Sequence, residues 1–234
     1  MTGSASEPPM LRTTAGDFPL AECRLSVGGR TWAVRHVAAV LTRGEEDRYV
    51  SDPANPLPYG AALWPSAIAL AHEVATRAAE FRGKTVLELG AGTGLPGVVA
   101  ASLGAAVVQT DCHELALHVC RLNGERNGAR GIEYRPADWT AWDDPRRYNW
   151  IVGADILYAD ERHPHLRHIF ERNLAPAGRL LIADPFRRPS LTLLERLVAD
   201  GWGATHARWT IGDAAESRPV GVYELTPPGG HAVP

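Results

Sequence analysis

VLELGAGTGLPG, residues 86–97, sets Gly90, Gly92, Gly94 and Gly97 directly behind a run of apolar residues. A β-rich run ending in closely spaced glycines, with apolar residues at helical spacing beyond, reads as a strand, a bare turn and a helix. In a doubly wound parallel sheet that turn lies at the carboxyl end of a strand, where backbone N–H groups and a helix N-terminus can face a ligand. A literal G-x-G-x-x-G runs from 92 to 97 and raises a dinucleotide reading;. Its placement is wrong for that role: counted from Gly90, where the strand ends, the sixth residue is Leu95, and Pro96 interrupts the helix start;. Glu88, two residues before Gly90, would repel a pyrophosphate and attract a cation;. A nicotinamide-dependent oxidoreductase is therefore the weaker reading of this turn.

The chain on either side of the turn alternates in type. Strands are expected at 85–89, 106–110, 132–135, 150–154 and 179–183, with helices at 95–103, 114–127, 164–174 and 191–200, a pattern that builds a parallel sheet covered by helices;. Two last strands, 204–209 and 220–225, have no helix between them and pair antiparallel;. The fold class is α/β, a Rossmann-like doubly wound sheet of seven strands, mostly parallel with the last strand antiparallel;. Upstream, CRLSVGGRTWAVRHV alternates apolar and polar residues on both sides of Gly28 and Gly29, so a β-hairpin precedes the main domain;. Four prolines between Pro53 and Pro65 rule out a helix there and imply an extended loop;. A helix follows, with Ser66 as its N-cap and its end near Gly83;. The expected division is a disordered tail at 1–18, the hairpin and proline-rich loop at 19–62, the main domain at 63–226 and a flexible tail at 227–234;.

Composition narrows the partners. With 234 residues, 45% of them hydrophobic, and a formal charge of −3, the chain suits one core and offers no footprint for nucleic acid;. AALWPSAIALAHEVA is broken by Pro65, Ser66, His72 and Glu73, so no bilayer span and no membrane partner are expected;. The first residues lack the basic start and apolar centre of a secretory signal;. Cys23, Cys112 and Cys120 are an odd set without ligand spacing and read as small buried hydrophobes in a reducing cytoplasm;. His163, His165 and His168 open a surface helix, and no metal site is expected;.

Glu88-Leu89-Gly90-Ala91-Gly92-Thr93-Gly94 resembles the first motif, E/D-x-G-x-G-x-G, of the class I (seven-β-strand) S-adenosylmethionine-dependent methyltransferases. LWPSAIALA upstream, GLPG after the turn, ADW after the third strand and DILY after the fourth extend the resemblance to the branch called methyltransferase family 16, which holds many protein-lysine methyltransferases. It spans about residues 20 to 226.

The resemblance implies S-adenosyl-L-methionine as cofactor, bound by Trp64, Glu88, Gly90, Ala91, Gly92, Gly94, Asp111, Asp138, Trp139 and Ala154. Asp111, ending the second strand, matches the acid that takes the ribose hydroxyls, and it can also cap the following helix;. Asp138 and Trp139 match the adenine-contacting pair, with Trp142 a rival for the stacking;. Trp64 matches a tryptophan that closes over the cofactor, or else packs its own loop;. Asp155 and Tyr158 form the D-x-x-Y of the methyl-transfer site, the catalytic pair, where Asp155 orients the acceptor amine and Tyr158 walls it;. In ADPFRRP, Asp184, Arg187 and Arg188 stand at the same rim, with the roles of the arginines open. The implied activity is N-methylation of a lysine side chain of a protein substrate, with a small-molecule N- or O-acceptor as the alternative. Oligomeric state is not legible.

Overall fold

The computed structural model describes residues 10–13, 16–42, 44–46, 58–212 and 217–229. Residues expected to be a tail already carry structure: β1 (Met10–Thr13) pairs antiparallel with β2 (Gly16–Pro19). Leu11, Phe18 and Leu20 are buried there against Ala61 and Val119. This corrects the tail at 10–18, where Leu11 and Phe18 find a surface that short-range composition could not reveal. The expected hairpin forms as β3 (Ala21–Val27) and β4 (Arg30–His36). Its turn residues Gly28 and Gly29 sit at φ 60° and 75°, the primed geometry that matches strand twist;. Residues 47–57, which include the first part of the proline-rich loop, lie outside the described residues, as does the C-terminal tail from 230.

After a short 3-10 turn at Tyr59–Ala61, α1 runs over Pro65–Thr76. Trp64, not Ser66, is its N-cap residue; Pro65 opens the helix because it needs no N–H partner at that position, and Ser66 is buried inside it;. The helix does not continue to Gly83. Thr76 Oγ1 donates to the Glu73 carbonyl, Arg77 leaves the helical region, and α2 (Ala78–Phe81) starts anew;.

The main sheet then follows the expected alternation: β5 (Thr85–Leu89), α3 (Leu95–Ser102), β6 (Ala106–Asp111), α4 (Glu114–Arg126), β7 (Ile132–Pro136) and β8 (Tyr148–Ala154). It is completed by α5 (His163–Asn173), β9 (Leu174–Asp184), α6 (Arg188–Ala199), β10 (Gly203–Ile211) and β11 (Arg218–Thr226). Strand order is β10-β11-β9-β8-β5-β6-β7. β7, β6, β5, β8 and β9 run parallel, and β11 is antiparallel between β9 and β10. From β5 the chain builds outward through β6 and β7 and returns to β8 on the other side, so the crevice beyond β5 is the topological switch point;.

Strand alternation sends Val86, Trp150, Val152 and Leu181 to the face covered by α1 and α3;. Leu87, Leu89, Ile151 and Leu180 go to the face covered by α5 and α6. Glu88, next to Val86 by parity, therefore points into the α3 side. No helix among the described residues is long and apolar enough to cross a membrane.

Asn123 on α4 and Asn127, the C-cap of that helix, attach the hairpin to this body. Asn123 accepts from Arg35 N at 2.8 Å and donates to Arg35 O at 3.0 Å. One turn later Asn127 accepts from Ala33 N at 3.0 Å and donates to Ala33 O at 2.8 Å. Spaced four apart on the helix, the two side-chain amides act as a partner strand for alternate residues of β4. Asn123 also donates to Thr93 O at 2.8 Å, tying the hairpin to the glycine turn. Replacing buried Asn123 by Ala strands these backbone groups and is expected to cost about 2 to 4 kcal/mol in urea unfolding, against about 1 kcal/mol for Asn127→Ala. Equal and negligible costs would contradict this account.

Candidate active site

The glycine turn is filled from beneath by the chain's own side chains. Gly94, at φ 74°, is the N-cap of α3, and a Cβ there would stand 2.7 Å from Gln109 Nε2 and 2.9 Å from Cys120 Sγ. A Cβ on Gly97 would lie 2.3 Å from Glu88 Oε2. These two glycines thus admit internal packing rather than a ligand. Glu88 is 2% exposed; its Oε2 accepts from Gln109 Nε2 at 2.6 Å and from Gly97 N at 3.1 Å, near the start of α3. Burial pushes its carboxyl up to about 8;. A protonated acid supplies no attraction for a cation, which corrects the electrostatic part of the sequence reading. Glu88 is a brace.

The open side of the turn belongs to Asp111 and Gly92. Asp111 ends β6, is 6% exposed, and accepts from Gly92 N at 3.1 Å through Oδ2 and from His113 N at 2.9 Å through Oδ1. Burial raises its carboxyl, opposed by these two N–H groups. Each oxygen still has acceptor capacity. Above it sits the 3-10 turn: Gly60 O is 3.3 Å from where a Gly92 Cβ would be, and a Gly60 Cβ would lie 3.8 Å from Asp111 Oδ1. Gly60, in PYGAALW, is thus a wall of the site that sequence reasoning missed. Cys120 closes the back, its thiol donating to Gly92 O at 3.1 Å. Of the three cysteines Cys120 alone is buried, while Cys112 is exposed and Cys23 half-buried, because the latter two stand on a loop and on a strand with one wet face.

Trp139, and not Trp142, stands beside the glycine turn. Its Cζ2 lies 3.3 Å from where a Gly90 Cβ would be, whereas Trp142 turns away and donates its Nε1–H to Asn173 Oδ1 at 2.9 Å. Asp138 is exposed and caps the short turn that carries Trp139, accepting from Thr140 N at 2.8 Å; these bonds from Thr140 hold its carboxyl below the usual range;. Ala91 is buried and spends its N–H on Thr110 O at 2.9 Å, so it contributes shape alone. Ala154 is half-buried at the end of β8. Trp64 stacks on Tyr59 with ring centroids 6.5 Å apart and packs beside Val40 and Ala62.

At the rim, Asp155 takes φ 60°, a conformation uncommon outside glycine, while its N–H donates to Ala183 O at 2.8 Å and continues the β8–β9 ladder;. Its side chain is 9% exposed and ion-paired with Arg187. Arg187 Nη2 also donates to Glu46 Oε1 at 2.8 Å, and Glu46 pairs in turn with Arg218. Glu46 is held by a capping box, Thr42-x-x-Glu45: Glu45 N donates to Thr42 Oγ1 at 3.1 Å and Thr42 N donates to Glu45 Oε2 at 2.8 Å;. That signature was legible in LTRGEED and marks the segment that delivers Glu46. Tyr158 is 58% exposed on the same rim. Asp184 does not reach the opening: it is fully buried and accepts from Arg187 N at 2.7 Å and Ser190 Oγ at 2.6 Å, fixing the start of α6. Arg188 is exposed. The ring of His163 is buried on the Leu157 carbonyl, 3.0 Å from Nε2.

Residues 54–192, over half of the chain, match the family model described as Lysine methyltransferase. The chain belongs to the lysine methyltransferase family. EEF1A lysine methyltransferase 3 of Mus musculus is 30% identical over 182 residues, covering 73% of this chain and 76% of that protein. Protein N-lysine methyltransferase METTL21A of Xenopus tropicalis is 35% identical over 132 residues, covering 54% of this chain and 61% of that protein, so the chain spans less than two thirds of this relative. Among solved structures, the 16S rRNA N2 G1207 methyltransferase RsmC of T. thermophilus, in complex with AdoMet and guanosine, superposes with a TM-score of 0.58 over 87% of this chain and 50% of that one, at 18% identity. That last likeness is one of fold. In this member of the lysine methyltransferase family, Glu46, Gly60, Gln109, Cys120 and Asn123 are the site's hidden supports, each joined to it across the fold.

The folded chain keeps the Glu88 proton up to about pH 8, while the unfolded chain releases it near the ordinary 4.5. Between these limits the folded state binds the extra proton, so stability falls as pH rises. Glu88→Gln keeps the shape and stays neutral; its stability relative to the parent chain is expected to rise between about pH 5 and 8, by up to about 1.4 kcal/mol per pH unit. Urea unfolding at three pH values measures this, and a pH-independent difference would contradict a neutral Glu88.

Proposed function

We propose that the chain transfers a methyl group from S-adenosyl-L-methionine to the side-chain nitrogen of a lysine in a partner protein. The observation that carries this reading is the cradle of Asp111, Gly92, Gly60 and Trp139 at the switch point, opening onto Asp155 and the exposed Tyr158. The residues fit the cofactor. Asp111 keeps acceptor capacity on both oxygens for a pair of hydroxyls, and a side chain at 90 or 92 would collide with the walls of the crevice;. Trp139 offers an indole beside the turn for a purine ring, with Asp138 next to it as an acceptor for an amino group;. Gly90 and Gly92 supply bare backbone while Gly94 makes room for the packing beneath the turn, Ala154 gives a small side chain at the end of β8, and Trp64 an apolar flank.

When bound, the cofactor supplies an activated methyl carbon for in-line displacement. The chain's own task is alignment, which can supply about 7 to 11 kcal/mol. It must also receive the amine unprotonated: a lysine of ordinary pKa about 10.4 costs roughly 4 to 5 kcal/mol to neutralise at pH 7. Asp155 orients the amine by accepting a hydrogen bond, and Tyr158 walls it. A rim bearing exposed Tyr158 and Arg188 suits an acceptor presented on a protein surface better than an enclosed small molecule. The lysine acceptor is further supported by the two relatives, whose names specify lysine methylation. Three free thiols support a reducing cytoplasm, and the charge of −3 speaks against nucleic acid as partner;. The transfer domain is placed at 63–226, with the preceding segment as its substrate-side extension.

S-adenosylhomocysteine is expected to raise the Tm of the protein, and Asp111→Asn to weaken that ligand at least about tenfold, the loss of one or two hydrogen bonds to a charged group. Incubation with methyl-labelled S-adenosylmethionine and lysate of the source cells is expected to label a protein band that Asp155→Ala abolishes. Label confined to small molecules would overturn the lysine reading and leave methyl transfer standing; no Tm shift would overturn the cofactor.

A further inference from the structure

Asp155 alone beside an acceptor lysine would work against the transfer. A lone carboxylate stabilises an ammonium ion and keeps the nitrogen lone pair protonated. The structure does not leave it alone. The Arg187 guanidinium forks, one Nη on Asp155 and the other on Glu46, while Arg218 holds Glu46 from β11. The four side chains are two carboxylates and two guanidiniums, net zero, and they stand mostly shielded, with side-chain exposures of 9% for Asp155, 25% for Arg187, 20% for Glu46 and 10% for Arg218. Asp184 is the other carboxylate near Arg187; it takes the backbone N–H of Arg187 and the Ser190 hydroxyl, so it fixes where the guanidinium starts from. Burial lowers the Arg187 pKa, with Glu46 opposing, and a guanidinium remains charged throughout the working range;.

We propose that Arg187 is a positioning residue that cancels the charge of Asp155, so that the acceptor nitrogen meets a paired rather than a lone carboxylate and is bound as the free amine rather than as ammonium. This rests on the proposed lysine acceptor and adds how its protonation state is selected. Glu46, delivered by the capping-box turn, keeps the guanidinium in register, and so the N-terminal extension acts on the acceptor site through charge rather than contact.

The test uses n-butylammonium, the lysine side chain without its backbone, titrated by NMR into the full chain with S-adenosylhomocysteine present. The parent protein is expected to bind it weakly; Arg187→Met, which leaves Asp155 uncancelled, is expected to bind at least about tenfold more tightly, and Arg187→Met with Asp155→Asn to lose that gain. Arg187→Lys, which restores a cation, is expected to behave as the parent. Unchanged affinity in Arg187→Met, or a gain that survives in the double variant, overturns the proposal. Should Arg187→Met fail to fold, Asp155→Asn decides: it leaves one guanidinium uncancelled, so n-butyrate is expected to gain at least about tenfold in affinity, and no gain overturns the proposal. With a lysine acceptor in hand, Arg187→Met is expected to lower KM while moving the acid limb of kcat up by about one pH unit or more, a split that a purely structural role would not give. The two binding arms need no methyl acceptor, so absence of lysine methylation leaves them to decide the charge proposal separately.

Discussion

A buried carboxyl group under a glycine turn holds the site in shape. Glu88 accepts from Gln109 on the neighbouring strand and from Gly97 in the first turn of α3, and so locks strand β5, strand β6 and the helix to one another. Thr110 adds a bond from its hydroxyl to Glu88 O at 2.8 Å. Leaving Gly97 N unpaired at this depth would cost about 1 to 3 kcal/mol, while Gln109 Nε2 would keep only its bond to Gly94 O at 2.8 Å;. Protonation of Glu88 lets the brace persist without a naked charge in the core, since a neutral acid is far cheaper to bury than its anion. The turn above can then spend its backbone on the outer side, where Gly92 donates to Asp111.

The N-terminal extension is part of the same machine. β1 and β2 bury Leu11 and Phe18 against Ala61, the end of the 3-10 turn that walls the cradle. β4 is read by Asn123, which reaches on to Thr93 inside the glycine turn. Glu46 reaches the rim through Arg187. Three separate contacts thus couple the extension to the crevice beyond β5, and each uses a different interaction: apolar burial, an amide pair and an ion pair. Without them the cradle would lack its upper wall and the rim its second carboxylate.

Much of the architecture was legible because it is local. The short apolar runs of β5, β6, β8 and β9, each followed by a segment of helical spacing in α3 to α6, declare themselves within windows of a dozen residues, and two glycines at 28 and 29 suffice to name a hairpin;. That Asp111 ends β6 and that Trp139 stands in the segment after β7, both beside the glycine turn, follows the order of motifs along the chain. The misreadings have a common cause. Glu88 looked like a ligand-facing charge because sequence gives the parity of a strand residue but not which face the ligand shares. Residues 10–18 looked disordered because their burial depends on Ala61 and Val119, far along the chain. Asp184 looked exposed because Ser190 and the Arg187 amide, which fill it, lie in the next helix start.

The sequence by itself determined the order and type of the elements from β5 onward, the place of the bare turn and the chemical kinds gathered around it, because hydrophobic pattern and glycine spacing act over a few residues. Tertiary structure alone decided the charge state and company of the acidic groups. Arg187 meets Glu46 across 141 residues and Glu46 meets Arg218 across 172, distances over which no local pattern constrains partners. Whether a carboxylate serves as brace, cap or half of an ion pair follows from its burial and from which donors converge on it, and both are set only when the sheet has closed around them.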